Sequence, residues 1–193
     1  MILGICGSGR KEGNTGALVE QVLKGAGGES ELVWLIDINL GYCTGCMRCV
    51  FEGACWQQDG MKDLYHKMLD CEAMVIGSPC YYNDVSGLVK SMMDRSIALG
   101  YMGIGEESDN PMHGRRPLKG KPAVVVSAVA GHGVERTLET LENYVKFLHM
   151  QIVGKIGAVA GMDDVRDKKN IMDEAYALGV RLREAVNLQA GSR

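Results

Sequence analysis

Cys43, Cys46, Cys49 and Cys55 stand in the pattern Cys-x2-Cys-x2-Cys-x5-Cys, so four thiols fall within thirteen residues. A [4Fe–4S] cubane needs one thiolate per iron, and x2 spacings wrap three ligands around one face of it. The ferredoxin run of bacteria uses the same short spacings, although its fourth cysteine serves another cluster. Structural zinc sites bring two pairs together across a longer segment, which makes zinc the less favoured metal. Redox-active or merely reduced thiols are the other alternative. Cys6 and Cys71 read as small apolar core residues.

A second chemistry is written in Gly7-Ser-Gly-Arg-Lys-Glu-Gly-Asn-Thr15, between an apolar run and a helical pattern. A loop there turns backbone N–H groups and a helix N-terminus toward an anion. Ser8, Asn14 and Thr15 add hydroxyl and amide donors, and Arg10 adds charge. A Walker loop fails because Asn14 follows Gly13, and Gly-x-Gly-x-x-Gly fails because Glu12 replaces its third glycine. Asp37, at the end of the second strand, keeps a weak dinucleotide reading open. The bland alternative is a tight strand–helix turn that binds nothing.

Gly77-Ser78-Pro79-Cys80-Tyr81-Tyr82-Asn83 forms a third candidate segment. Pro79 is expected to end a strand and turn the backbone aside. Tyr81 and Tyr82 offer faces for stacking on a planar ring, and Cys80 lies in the same loop, between Pro79 and Tyr81. Ser127-Ala128-Val-Ala-Gly131-His132-Gly133 is a fourth, because Ala128, Gly131 and Gly133 permit close backbone approach. His132 is as readily an exposed loop residue as a ligand.

Strands and helices must alternate to bring these loops together. Apolar runs at residues 1–6, 32–36, 73–77, 123–126 and 152–160 predict five strands. Helical spacing predicts helices over 14–26, 61–69, 85–99, 134–150 and 171–188. The strand runs are continuous rather than alternating, as burial on both faces requires. The result is an α/β domain with one parallel sheet of five strands, helices on both faces, and ligand loops leaving the carboxyl ends of its strands. Residues 100–121, rich in glycine with Pro111 and Pro117, predict a long excursion and a candidate subunit contact.

The first loop resembles the Gly-Ser-x-Arg-x-x-Gly-Asn-Thr phosphate loop of the NADPH-dependent FMN reductase superfamily, a flavodoxin-like group, and that resemblance implies the strand order 2-1-3-4-5. Ser78-Pro-x-Tyr-Tyr82 and Lys90-x3-Asp94-Arg95 match further family segments. The cysteine spacing is similar to that of the iron–sulfur flavoprotein branch. The resemblance implies FMN, with its phosphate at Ser8, Arg10, Asn14 and Thr15. It places the isoalloxazine against residues 78–83, and a cluster on the four cysteines. It further implies a homodimer or homotetramer in which cluster and flavin approach across an interface. Electrons would pass between a reduced donor, NAD(P)H or ferredoxin-like, and a partner protein or small-molecule acceptor. Rival readings are a cluster-free NAD(P)H-dependent FMN or quinone reductase and a pure electron carrier. No acid–base residue presents itself as catalytic, and no segment declares a nicotinamide site.

Composition bounds these readings. A chain of 193 residues buries about 70% of its unfolded surface, so a single domain needs no metal or disulfide to fold. The net charge of −3 argues against non-specific binding to nucleic acid or anionic lipid. No apolar run reaches the ~18 residues of a membrane span. Met1–Cys6 lacks a basic lead-in, so no signal peptide and a cytoplasmic setting are expected. Arg115, Arg116, Lys119 and Lys121 form one basic stretch, read as a solvated loop before a nucleotide or acidic-partner site. Asp163 and Asp164 read as helix-start charge.

Overall fold

A computed structural model describes residues 1–101 and 116–191. Five parallel strands carry the loops singled out above: β1 (Ile2–Cys6), β2 (Ser30–Trp34), β3 (Ala73–Tyr81), β5 (Pro122–Val129) and β6 (Gln151–Val159). Their order is β2-β1-β3-β5-β6, and the two-residue β4 (Asp84–Val85) turns back antiparallel on the end of β3. Setting that small strand aside, the order is the expected 2-1-3-4-5. Residues 102–115, which hold most of the expected excursion together with Arg115, lie outside the described residues.

Neighbouring residues on each strand serve opposite faces, as the strand's period of two requires. Ile2, Val75 and Val124 pack under α1 (Asn14–Ala26) and α6 (Lys169–Ala190). Leu3, Met74 and Ala123 pack under α3 (Met61–Asp70), α4 (Gly87–Arg95) and α5 (Val134–Phe147). Continuous apolar strands follow directly from this two-sided cover. A short α2 (Arg48–Glu52) sits within the cysteine loop. None of the described helices is long and apolar enough to cross a membrane.

Several boundaries differ from expectation, among them the fourth parallel strand, expected over 123–126 and observed over Pro122–Val129, and three have a visible reason. The third strand continues past Ser78-Pro79 to Tyr81, with Pro79 in register with Ala128. Pairing with β1 ends at Gly77, so beyond it β3 is an edge on that side, where a sheet tolerates a residue without an N–H. The second strand starts at Ser30 and closes in a 3-10 turn at Leu35–Asp37. The helix expected over 85–99 stops at Arg95 and tightens into a 3-10 turn at Ser96–Gly100. There Ser96 Oγ donates 2.7 Å back to the Met92 carbonyl and meets Tyr144 Oη at 2.7 Å.

Candidate functional site

The loops after β1, β3 and β5 enclose a pocket of about 550 Å³ at the carboxyl edge of the sheet. Ser8, Arg10, Asn14 and Thr15 form one end, Pro79–Asn83 another, and Ala128 and Gly131 a third wall. Val129, Ala130 and Gly161 also line it. Gly161 follows β6, and the rule that ligands gather at strand carboxyl ends was the signal for it.

The first end is built from an open helix start. Gly13 caps α1 without a side-chain bond, and the first turn holds no acidic residue. The first ladder bond is Ala17 N–H to the Gly13 carbonyl at 3.1 Å, so the preceding N–H groups have no partner within the helix. They carry the positive end of the helix dipole. Ser8 is differently engaged than expected: its Oγ donates to the Arg10 carbonyl at 3.0 Å and accepts the Arg10 N–H at 3.1 Å, so it shapes the loop. Asn14 lines the pocket and also has a structural part, with one of its two amide N–H donors engaged. Its Nδ2 donates to the Asp163 carbonyl and its Oδ1 accepts from Val165 N–H, both at 3.0 Å, tying α1 to the β6–α6 connection. Arg10 is exposed on the pocket wall, while Lys11 is paired with Asp37 at 2.7 Å. That pair occupies the acidic group on which the dinucleotide reading depended.

The second end is a two-residue hairpin that sequence reasoning missed. Tyr81 pairs with Asp84, and Tyr82 and Asn83 between them take left-handed backbone at φ 54° and 62°. Such a turn prefers Asn-Gly, and tyrosine there costs roughly 1–2 kcal/mol. The surroundings hold it in place. Val85 N–H donates to Asp84 Oδ1 at 2.7 Å, and Cys80 Sγ reaches the His132 carbonyl at 3.7 Å. Tyr82 is fully exposed and Tyr81 half exposed, so aromatic surface stands at the pocket rim. Strain of this kind concentrates at ligand sites.

Two predicted ligands support the wall instead of forming it. Ser78 is fully buried, with its Oγ accepting Ser86 N–H and donating to the Pro79 carbonyl, each at 2.9 Å. Gly133 caps α5 at φ 91°, and a Cβ there would meet Asn83 Oδ1 at 2.3 Å. Ser86 Oγ donates 2.8 Å to the Gly7 carbonyl, joining the first loop to the base of the hairpin. Burial pushes the Cys6 thiol up to about 11, so it stays protonated beneath the first loop at neutral pH.

The four spaced cysteines line a separate pocket of about 290 Å³ with Trp56 and Arg95. Gly45, Met47 and Gly53, all at left-handed φ, reverse the chain around α2 and fold the segment back on itself. Cys43 and Cys46 are exposed, Cys49 and Cys55 partly buried. The Arg48 backbone N–H holds the Cys46 thiol below its ordinary value, whereas burial and then the neighbouring thiols raise Cys49. Arg48 pairs with Glu52 at 2.7 Å and stacks 5.7 Å over Trp56. Among the described residues, no three His, Cys, Asp or Glu side chains meet closely enough to hold a metal ion. A cubane places its thiolates on four different irons, so its ligands surround a cavity instead of converging on one point. Four thiols around a shared pocket fit that donor set.

The stems of this loop meet on Arg95, which is 1% exposed. Its Nη1 donates to Asp59 Oδ2 at 2.6 Å, the Gly41 carbonyl at 2.9 Å and Gln57 Oε1 at 3.1 Å. Its Nη2 donates to Asp59 Oδ1 at 3.0 Å, and its carbonyl accepts from Tyr65 Oη at 2.7 Å. Lys90, by contrast, pairs with Asp94 at the surface. Lys121, from the basic stretch, donates 2.7 Å to the Cys71 carbonyl below α3.

The sequence profile described as NADPH-dependent FMN reductase matches residues 1–164. An iron-sulfur flavoprotein of Methanocaldococcus jannaschii is 32% identical over 97% of both chains. Another, from Archaeoglobus fulgidus, is 31% identical over 68% of each. Among solved structures, a flavone reductase superposes with TM-score 0.74 at 23% identity, covering 96% of this chain and 62% of its own length. A flavodoxin from the domain Archaea superposes with TM-score 0.60 at 14% identity, covering 97% and 99%. At these identities the two structures speak for the fold alone.

Proposed function

The chain belongs to the iron–sulfur flavoprotein branch of the NADPH-dependent FMN reductase family, and from that premise we propose how this FMN-dependent oxidoreductase is arranged. FMN lies in the larger pocket, its phosphate on the open start of α1 beside Arg10 and Thr15, with Ser8 and Asn14 shaping that end. The ring lies against Pro79, Cys80, Tyr81, Tyr82 and Asn83 and under Ala128 and Gly131. Cys43, Cys46, Cys49 and Cys55 hold a [4Fe–4S] cluster. When bound, FMN supplies two-electron hydride chemistry and the cluster single-electron exchange.

The protein's own part is binding, orientation and exclusion of water. The helix start and Arg10 neutralise the phosphate, and the strained hairpin presents tyrosine surface to the ring. Donors are NAD(P)H or a reduced ferredoxin-like protein, and acceptors a partner protein or small molecule. The whole chain acts as one domain in a cytoplasmic homodimer or homotetramer.

The observation that carries the flavin placement is the uncapped, acid-free start of α1 on the wall of the larger pocket. Titration of the apoprotein with FMN and with riboflavin tests it. FMN should bind at least tenfold tighter, a difference of about 1.4 kcal/mol supplied by the phosphate alone. Equal affinities would remove the phosphate from this pocket.

A further inference from the structure

We propose that Arg95 donates a hydrogen bond from its Nε–H to a sulfur of the cluster and thereby raises the cluster's reduction potential. This rests on the cluster reading above. Only two buried side-chain polar atoms among the described residues lack a partner, Ser127 Oγ and Arg95 Nε. A buried donor left unsatisfied is costly, more so on a charged group, and calls for an acceptor.

The rest of the guanidinium is committed. Nη1 and Nη2 are held by Asp59, Gly41 and Gln57, so the fork cannot swing to find another partner for Nε. The residue forms part of the wall of the pocket that the four thiols line. Thiolate and sulfide sulfurs of a bound cluster are the anionic acceptors whose chemistry matches this donor. Asp59 offsets the guanidinium charge within the same pair, so the part of Arg95 left to act on the cluster is its directed N–H bond. Such a bond stabilises the more negative, reduced cluster more than the oxidised one, which moves the potential upward.

Arg95→Lys keeps a cation for Asp59 and removes the Nε–H. In anaerobic redox titrations of the holoprotein followed by electron paramagnetic resonance, the variant's cluster midpoint should fall while the flavin midpoint stays at the wild-type value. An unchanged cluster midpoint overturns the proposal. If the variant does not fold, the native side chain is read directly, with 15N-arginine labelling in an Arg48→Gln background. Pulsed resonance on the reduced cluster should then show coupling to one arginine nitrogen. Absence of that coupling overturns the proposal equally. Wild-type protein without iron and sulfide after reconstitution sinks the cluster reading itself, an outcome distinct from either.

Discussion

At the scale of single residues, the two pockets separate side chains exposed on a wall from those bonded behind it. Arg10 is exposed on the wall of the larger pocket, so Arg10→Ala should weaken FMN binding roughly tenfold while leaving riboflavin affinity unchanged, read by fluorescence titration. Gly133 tells the opposite story. Its sequence position suggested close approach to the ring, but the atom it approaches is Asn83 Oδ1, 2.3 Å from where a Cβ would stand. Gly133→Ala should therefore destabilise the fold by about 1–3 kcal/mol in urea unfolding, from crowding and from its left-handed φ together. Ser8 and Asn14 were legible as loop residues but not the bonds that hold them. Asn14's partners, Asp163 and Val165, lie 149 and 151 positions away, beyond any local pattern.

At the scale of elements, local signals were read well where one helix or strand decides the outcome. Asn14–Ala26 begins and ends where its apolar spacing and the following glycines place it. The β3–β4 hairpin was hidden because Tyr82-Asn83 is not a usual pair for such a turn, and only tertiary support makes it tolerable. Tyr82→Gly should relieve that strain and stabilise the apoprotein by about 1 kcal/mol while loosening FMN binding, measured by unfolding and flavin titration side by side.

The cysteine loop is pinned at both stems by Arg95 and Asp59. Burial alone would raise the Asp59 carboxyl, but the bonds from Arg95 and the Gly41 and Met61 N–H groups outweigh it and hold it below its ordinary value. A depressed carboxyl contributes stability that is present above its unfolded value, near pH 4, and is lost as pH falls through the folded one. Asp59→Asn should cost about 3 kcal/mol at neutral pH and flatten the acid limb of the stability curve. Arg95 read from sequence as a surface or ion-pairing residue within the helix expected over 85–99; the structure shows the ion pair, with Asp59, while its burial was not legible because that partner lies 36 positions away in another element.

At the scale of the whole molecule, the parallel sheet followed from the alternation of apolar runs and helical spacing and its strand order from the family resemblance, and both candidate sites lie at the carboxyl ends of β1, β2, β3 and β5. Tertiary packing added what no run of sequence could show, namely which residues line the pockets, which are bonded behind them, and how the thiol loop is fastened to α4. The measurement that tests the account most directly is iron, sulfide and FMN content, with absorption spectra, on protein purified and reconstituted without oxygen. About four irons and four sulfides beside one FMN per chain are expected, and Cys49→Ser should lose the iron while keeping the flavin. Flavin without iron or sulfide, persisting through reconstitution, would contradict the cluster and leave a plain flavin reductase.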